Sequence, residues 1–511
     1  MALPPDWCFS TLEEVSRSVG GGTPSKSDPT FWVNGTVPWV SPKDMKTFSV
    51  TSSEDALTVK ALDRLTLIPA ESLLVVVRSG ILSRTLPVAI NKVPVTINQD
   101  MRAFVPGAGI LSKYLAWQLM AKEREILSNC SKDGTTVASI EGPSLARFSL
   151  SIAPAAEQAR IVAKLDELLS DLDAGVAELK AAQKKLAQYR QSLLKAAVDG
   201  ALTAEWRAQH PPTETGAQLL ARILTERRAR WEAKQLAKFK EQGKVPPKEW
   251  RKKYTEPVRP DNTDLPELPQ GWVWAIAEQL CEFITKGTTP PKELDDGRLA
   301  EVPFLRVTNL TDTGELNFSD RVYVAGETHR GFLARSMVYP GDVLMNIVGP
   351  PLGQVSLVPN DYPEWNINQA IAIFRAVPGL SISFLRSWLL SPTAVQWLKA
   401  RAKTTAGQAN LTLELCRSLP IPLPPSNEQI EITNLIDIVL RAASDQVDVV
   451  EKSLKQSSAQ RQNILRAAFV GQLVPQDPND EPASVLLERI RVQRAGQGAA
   501  SSGRRRRAEK P

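Results

Sequence analysis

Two histidines, His210 and His329, and four isolated cysteines, Cys8, Cys130, Cys281 and Cys416, are all that 511 residues offer of these two reactive types. No Cys-x-x-Cys pair, His-Glu-x-x-His helix or histidine-rich cluster occurs, so the sequence provides no zinc site and little histidine acid–base chemistry. A phosphate-cradling Gly-x4-Gly-Lys-Ser/Thr loop, a dinucleotide-binding Gly-x-Gly-x-x-Gly turn and a Gly-x-Ser-x-Gly nucleophile elbow are missing too. A chain without catalytic residues, metal or cofactor of its own is expected.

One segment, Asp28-Pro29-Thr30-Phe31, is similar to the Asp/Asn-Pro-Pro-Tyr/Phe loop of amino-methyltransferases that grips a flipped base. It lacks the second proline and an upstream glycine-rich cofactor loop, so an Asp-Pro turn is the better reading. The composition, 42% hydrophobic and 23% charged, is that of an ordinary folded protein. Residues 1–7 lack the basic and apolar regions of a signal peptide, and nowhere do eighteen uncharged apolar residues run together. A cytoplasmic location with reduced thiols and no membrane partner is expected. The net charge of +6 is uneven: residues 201–260 hold 14 Lys and Arg against 7 Asp and Glu, and residues 501–511 hold 5 against 1. The rest of the chain is therefore slightly acidic.

The elements that would position any site are written twice. At an offset of 265, Leu3-Pro4, Trp7, Gly22-Thr23 and Val37-Pro38 recur as Leu268-Pro269, Trp272, Gly287-Thr288 and Val302-Pro303. At 270, Ile97-Asn98-Gln99 recurs as Ile367-Asn368-Gln369, and at 271 Glu157-Gln158 recurs as Glu428-Gln429. Arg190 to Leu202 shares seven identities in thirteen with Arg461 to Leu473, and each copy is followed by Leu-Leu-x-Arg-Ile, at Leu219 to Ile223 and Leu486 to Ile490. Each copy opens with strand-like β-branched runs broken by turns, with one helix near Leu111–Ser128 in the first and near Ser383–Lys403 in the second.

A different pattern follows Pro154 and Pro424-Pro425. Leu165, Leu172, Leu179, Leu186 and Leu193 fall every seven residues, and Ile436, Val450 and Ile464 share that seam in the second copy, with Val447 and Leu454 alongside. A sevenfold spacing held this long predicts coiled-coil pairing. Each helix, near 45 residues and ~68 Å long, exceeds the width of a 150-residue globule and needs a partner. The other copy supplies it, most simply as an antiparallel pair about a pseudo-twofold axis, with Gln183, Arg190 and Arg461 as polar register markers; the linker 203–265 is long enough for a parallel pair as well.

Two unlike globules separated by a rigid spacer suit a split DNA site. Candidate base and phosphate contacts on loops are Lys43, Lys46, Arg78, Ser79, Arg84 and Lys132 in the first copy, and Arg306, Asn309, Asn346, Lys403, Gln408 and Asn410 in the second. The segment Ala217–Lys240 reads as a basic helix; with Trp231 and Trp250 it suits phosphate holding, and equally a solvated or partner-docking surface. Arg504 to Arg507 reads as a disordered basic tail.

These residues resemble the specificity (S) subunit of Type I restriction–modification enzymes over nearly the whole chain. The likeness rests on the two Leu-Pro-x-x-Trp openings (Leu3–Trp7, Leu268–Trp272), Gly22-Thr23-Pro24, Val37-Pro38-Trp39 leading to Asp44-Met45, the Pro-x-x-Glu-Gln helix starts and Gly200 to Arg207. In the second copy Gly287-Thr288-Thr289-Pro290 reads as a one-residue insertion, and Phe304 and Asn309 stand for Trp39 and Asp44. The resemblance implies an α+β fold: two mixed α/β target recognition domains joined by two long antiparallel coiled-coil helices in a pseudo-twofold tandem repeat. The expected division is recognition domain 1–153, helix 154–202, basic helical linker 203–265, recognition domain 266–424, helix 425–473, and a short helix with basic tail over 474–511. It further implies a noncatalytic DNA-reading subunit of a multisubunit endonuclease and adenine methyltransferase. Its partners would be double-stranded DNA, two methylation subunits and restriction subunits, with S-adenosylmethionine, ATP and Mg²⁺ bound by those subunits. A self-contained split-site methyltransferase or endonuclease, and a coiled-coil assembly protein with no DNA role, are the alternatives.

Overall fold

A computed structural model describes residues 3–132, 137–263, 265–290, 301–311, 313–405 and 408–508, without the side chains of 405, 408 and 497–508. The chain forms two compact units: residues 1–180 with 451–511, and residues 181–450. The long helices α1 (Ala155–Val198) and α3 (Ser426–Phe469) each contribute to both. Two further helices, α2 (Gly216–Glu241) and α4 (Ala483–Ala508), follow them.

In unit 1 a five-stranded sheet takes the spatial order Ser16–Gly20, Met101–Pro106, Leu73–Val76, Val88–Asn91, Ser49–Val50, antiparallel except at its last pair. A smaller sheet holds Val37–Val40 between Asp55–Leu57 and Thr96–Ile97. Unit 2 repeats the plan with Cys281–Lys286, Ile371–Ala376, Val343–Asn346 and Val355–Leu357 in one sheet, and Val302–Leu305 beside Trp365–Ile367 in another. The single helix expected near residue 111 is two, Ser112–Ala121 and Glu123–Asn129, and its counterpart is Ile382–Leu390 and Pro392–Arg401. In the latter, Pro392 cannot donate to the preceding turn, and Ser391 caps the new helix by accepting from Ala394 N.

The repeat identities are the joints that fasten each strand-rich domain to a long helix. In unit 1 the strand Cys8–Thr11 pairs with Ser149–Ile152, which brings Trp7 to the first turn of α1, where its Nε1 donates to Glu157 Oε2 at 2.9 Å. Gln158 donates to Ala153 O and accepts from Leu111 N. Unit 2 repeats this with Val273–Ile276 on Pro420–Leu423, Trp272 donating to Glu428 at 2.8 Å, and Gln429 between Pro424 O and Ser381 N. The Leu-Leu-x-Arg-Ile segments are docking edges: Leu486 and Ile490 of α4 enter the unit 1 core, and Leu219 and Ile223 of α2 enter that of unit 2.

In both units the long helices run antiparallel. Arg160 bonds Asp480 and Arg461 bonds Asp173 in unit 1; in unit 2 Leu186 and Tyr189 face Gln446 and Val450, while Leu194 packs with Ile436. Leu165 and Ile436 are buried; Leu172, Leu179, Leu186, Leu193, Val447, Val450, Leu454 and Ile464 are half-buried. Near the ends, burial passes to Leu194 and Leu465, one residue beyond the sevenfold seam, where each helix joins the core of a strand-rich domain. Arg461 marks register through Asp173, but Arg190 leaves the seam to donate to Thr313 O.

Each long helix stops at a glycine with positive φ, Gly200 (+75°) and Gly471 (+77°). After the first, Ala201 N donates back to Ala196 O, the six-to-one bond of a Schellman stop. A Cβ on Gly200 would lie 2.8 Å from Trp272 and 2.9 Å from Pro269, so the Leu-Pro-x-x-Trp opening packs onto a bare helix end. Gly200→Ala should therefore cost more than about 2 kcal/mol, combining the left-handed penalty with overlap. Gly175→Ala, in the open interior of α1, should instead stabilise by about 0.5–1 kcal/mol. Denaturant midpoints of the two variants test the opposite signs.

The basic tail differs from expectation: the backbone is helical through Ala508, and residues 509–511 lie outside the described residues. No helix among the described residues is long and apolar enough to cross a membrane.

Candidate nucleic-acid interface

The reactive side chains are absorbed by the fold. His329 is buried between Asn366 and Glu364, and His210 stacks on Trp206 with ring centroids 4.6 Å apart. Burial pushes the thiols of Cys281 and Cys416 up to about 12, so neither ionises near neutral pH. Asp28 forms the expected turn, accepting from Thr30 N and Oγ1.

In unit 1 the strand Leu73–Val76 leads into Arg78 and Ser79, which lie against the segment 131–140. Ile140 N donates to Val77 O, Ser79 N to Ala138 O, and Lys132 N to Ser139 O. Arg78, Ser79 and Lys132 are thereby brought together, with Arg84 ending the adjoining turn Gly80–Ser83. Arg78, Arg84 and Lys132 are exposed and form no ion pair among the described residues. Ser79 is half-buried and caps that turn through Ile81 N.

Unit 2 places a hairpin at the same point. Lys403–Thr405 pairs with Gln408–Asn410, Gly349 N donates to Ala409 O, and Leu411 N donates to Ile347 O beyond the strand Val343–Asn346. Lys403 lies exposed opposite Asn410; for Gln408 only the backbone is described.

Five expected contacts lie elsewhere or are spent on structure. Lys43 is held by Asp55 at 2.9 Å and Glu54 at 3.0 Å, bonds that raise its pKa, and Lys46 meets Glu54 at 3.5 Å. Arg306 pairs with Asp320. Asn309 is buried, accepting from Arg306 N and donating to Asn317 O, the capping role that Asp44 fills for Ser41 in unit 1. Asn346 is buried with its amide on Pro351 O and Val348 N. Neither amide can meet a base edge while those bonds stand.

Two exposed pairs join the interface that residue type alone did not single out. Thr23 Oγ1 bonds Gln99 Oε1, and Thr289 Oγ1 bonds Gln369 Oε1. Asp100, beside Gln99, accepts from Val77 and Arg78 N, while Ala370, beside Gln369, accepts from Ile347 N. The repeated Gly-Thr-Pro and Asn-Gln motifs were the available signal. The pairs also correct the register: Thr23 matches Thr289, so Gly287–Pro290 carries no insertion. The extra residue is Glu282, at a bulge where the ladder shifts between Cys281 and Phe283.

The family described as Type I restriction modification DNA specificity domain matches residues 4–181 and 269–447. The chain belongs to this family. The two matches end near residues 180 and 450, where the chain passes between units. The EcoR124I/EcoR124II specificity subunit of Escherichia coli is 42% identical over 191 residues, covering 36% of this chain and 47% of that relative, so the match spans under half of its length. The E. coli EcoBI specificity subunit is 27% identical over 396 residues, covering 74% and 71%. A chain solved in work on complex assembly and conformational transition of the type I R-M system superposes with a TM-score of 0.62 at 18% identity, covering 92% of this chain and all of that one. That likeness shows a shared fold.

Proposed function

We propose that this chain is the noncatalytic DNA-specificity subunit of a Type I restriction–modification complex, in which each recognition domain reads one half of a bipartite, asymmetric site. The observation that carries this reading is the matched pair of interfaces. Both domains set a strand exit, a second segment paired against it and a Thr–Gln pair together, but the side chains presented there differ, with Arg78 and Lys132 in one and Lys403 and Asn410 in the other. A shared scaffold with unlike contact residues suits two unlike base sequences. The long helices set the spacer and dock two methylation subunits, and restriction subunits join that assembly. S-adenosylmethionine, ATP and Mg²⁺ act on the partner subunits. The reaction takes place in the cytoplasm, where the cell's own DNA lies.

Replacing residues 1–153 by the corresponding domain of another family member should change one half of the methylated motif and leave the other half and the spacer unaltered. Methylation mapping of host DNA, after co-expression with the methylation subunit, reads the result. A change in both halves would overturn the division of labour.

A further inference from the structure

The linker's charge is not absorbed by unit 2. Leu219 and Ile223 seat the start of α2 in the core, and Arg227 Nη1 donates to Cys281 O at 2.5 Å. From Ile223 onward α2 continues for ~27 Å at ~1.5 Å per residue. The returning chain packs onto this stretch. Trp231 stacks on Trp250 with centroids 5.8 Å apart and meets Tyr254 at 5.3 Å, while Phe239 stands edge-on to Trp250 at 6.1 Å. Trp250 is buried, so the tryptophans hold the arm's own small core and are not free to stack on bases.

The arm's lysines stay outside that core. Lys234, Lys238, Lys240, Lys244, Lys248 and Lys253 are exposed and make no ion pair among the described residues. Residues 234–253 hold eight Lys and Arg against two Glu. Lys234 and Lys238, four apart on a helix, share a face. The pattern recurs: Lys238 stands nineteen residues after Leu219, and Arg505, within Arg504 to Arg507, stands nineteen after Leu486 along α4. Each recognition domain thus carries a docked helix whose far end is cationic by sequence.

Like charges crowded on a small folded arm repel one another, and a polyanion relieves that repulsion. We propose that the α2 arm is a sequence-independent clamp on the phosphate backbone of duplex DNA, outside the bases read by its domain. The proposal rests on the DNA-specificity reading given above. Its contribution is affinity and salt dependence, not motif choice.

The test uses the chain assembled with its methylation subunits. Two duplexes of equal length, one carrying the motif mapped by methylation and one lacking it, are titrated between 50 and 200 mM salt. The variant converts the six lysines to glutamine. Each phosphate that the variant leaves unneutralised should lower the log–log salt slope by about 0.9; with three such phosphates, the unaltered complex loses about fortyfold more affinity than the variant over that range. Both duplexes should weaken by the same factor, and the methylated motif should stay the same. An unchanged slope overturns the clamp, as does a loss confined to the motif duplex. Weaker assembly with the methylation subunits at unchanged slope would overturn it in favour of a protein-docking arm. If the unaltered complex shows no preference for the motif duplex, the specificity reading fails instead, while the slope on the motif-free duplex still decides the clamp.

Discussion

Glu428→Ala should destabilise the protein by about 3–5 kcal/mol, whereas the equivalent Glu157→Ala should cost only about 1–3 kcal/mol. Both carboxylates are buried and accept from a tryptophan of the domain opening. Glu428 also accepts from Thr203 Oγ1 at 2.7 Å and Arg207 Nε at 2.8 Å, so its removal strands a guanidinium, a hydroxyl and an indole N–H together. In the second copy Val474 and Pro478 occupy the places of Thr203 and Arg207, and Glu157 Oε1 has no hydrogen-bond partner among the described residues. Desolvation raises the pKa of Glu157, with the Trp7 bond opposing it. A carboxyl raised in the folded state weakens folding as pH climbs through its folded value, because the ionised form is the disfavoured one. Glu157→Gln should keep the Trp7 bond, remove that pH-dependent loss and leave stability level or improved near neutrality. Glu428→Gln should still lose the charge facing Arg207. Denaturant midpoints of the four variants at pH 5 and pH 8 check the asymmetry; equal costs at the two sites would refute it.

Removing one helical turn from both α1 and α3 should abolish methylation at the original site and create methylation at a site with the same half-sites and a changed spacer. A turn is about 5.4 Å, equivalent to one or two base pairs at ~3.4 Å each. On the proposed reading the bases are met by loops of the two domains, which the deletion does not touch, and the helices set the distance between them. Methylation mapping distinguishes the outcomes; altered half-site sequences would contradict the assignment of readout to the domains.

What could be read from sequence was whatever the fold uses twice. Trp7 and Trp272, Glu157 and Glu428, Gly200 and Gly471 recur because each copy needs the same indole–carboxylate bond and the same bare helix end. The seven-residue seam was legible because helical geometry ties spacing directly to a face. Readout residues were harder, since side-chain type does not say where an amide is spent. Asn309 and Asn346 look like adenine readers and are buried with their amides bonded to backbone groups, while Lys43 looks like a phosphate contact and is held by two acids that only folding brings near. The misplaced insertion has a similar origin, because one extra residue looks the same in sequence in a loop or a strand bulge. Trp231 and Trp250 were ambiguous until the chain was seen to fold back on itself.

Unit 1 is assembled from residues 1–180 and 451–511, while unit 2 is one continuous stretch, 181–450. On the ribosome the order of completion is therefore inverted. The N-terminal domain emerges first, yet its core lacks Leu465, Phe469, Leu486 and Ile490 until more than 300 further residues have been made. At ~5–20 residues per second that is a wait of roughly 15–60 s. Unit 2 can close during that interval. The half of the protein translated first is the half that finishes last.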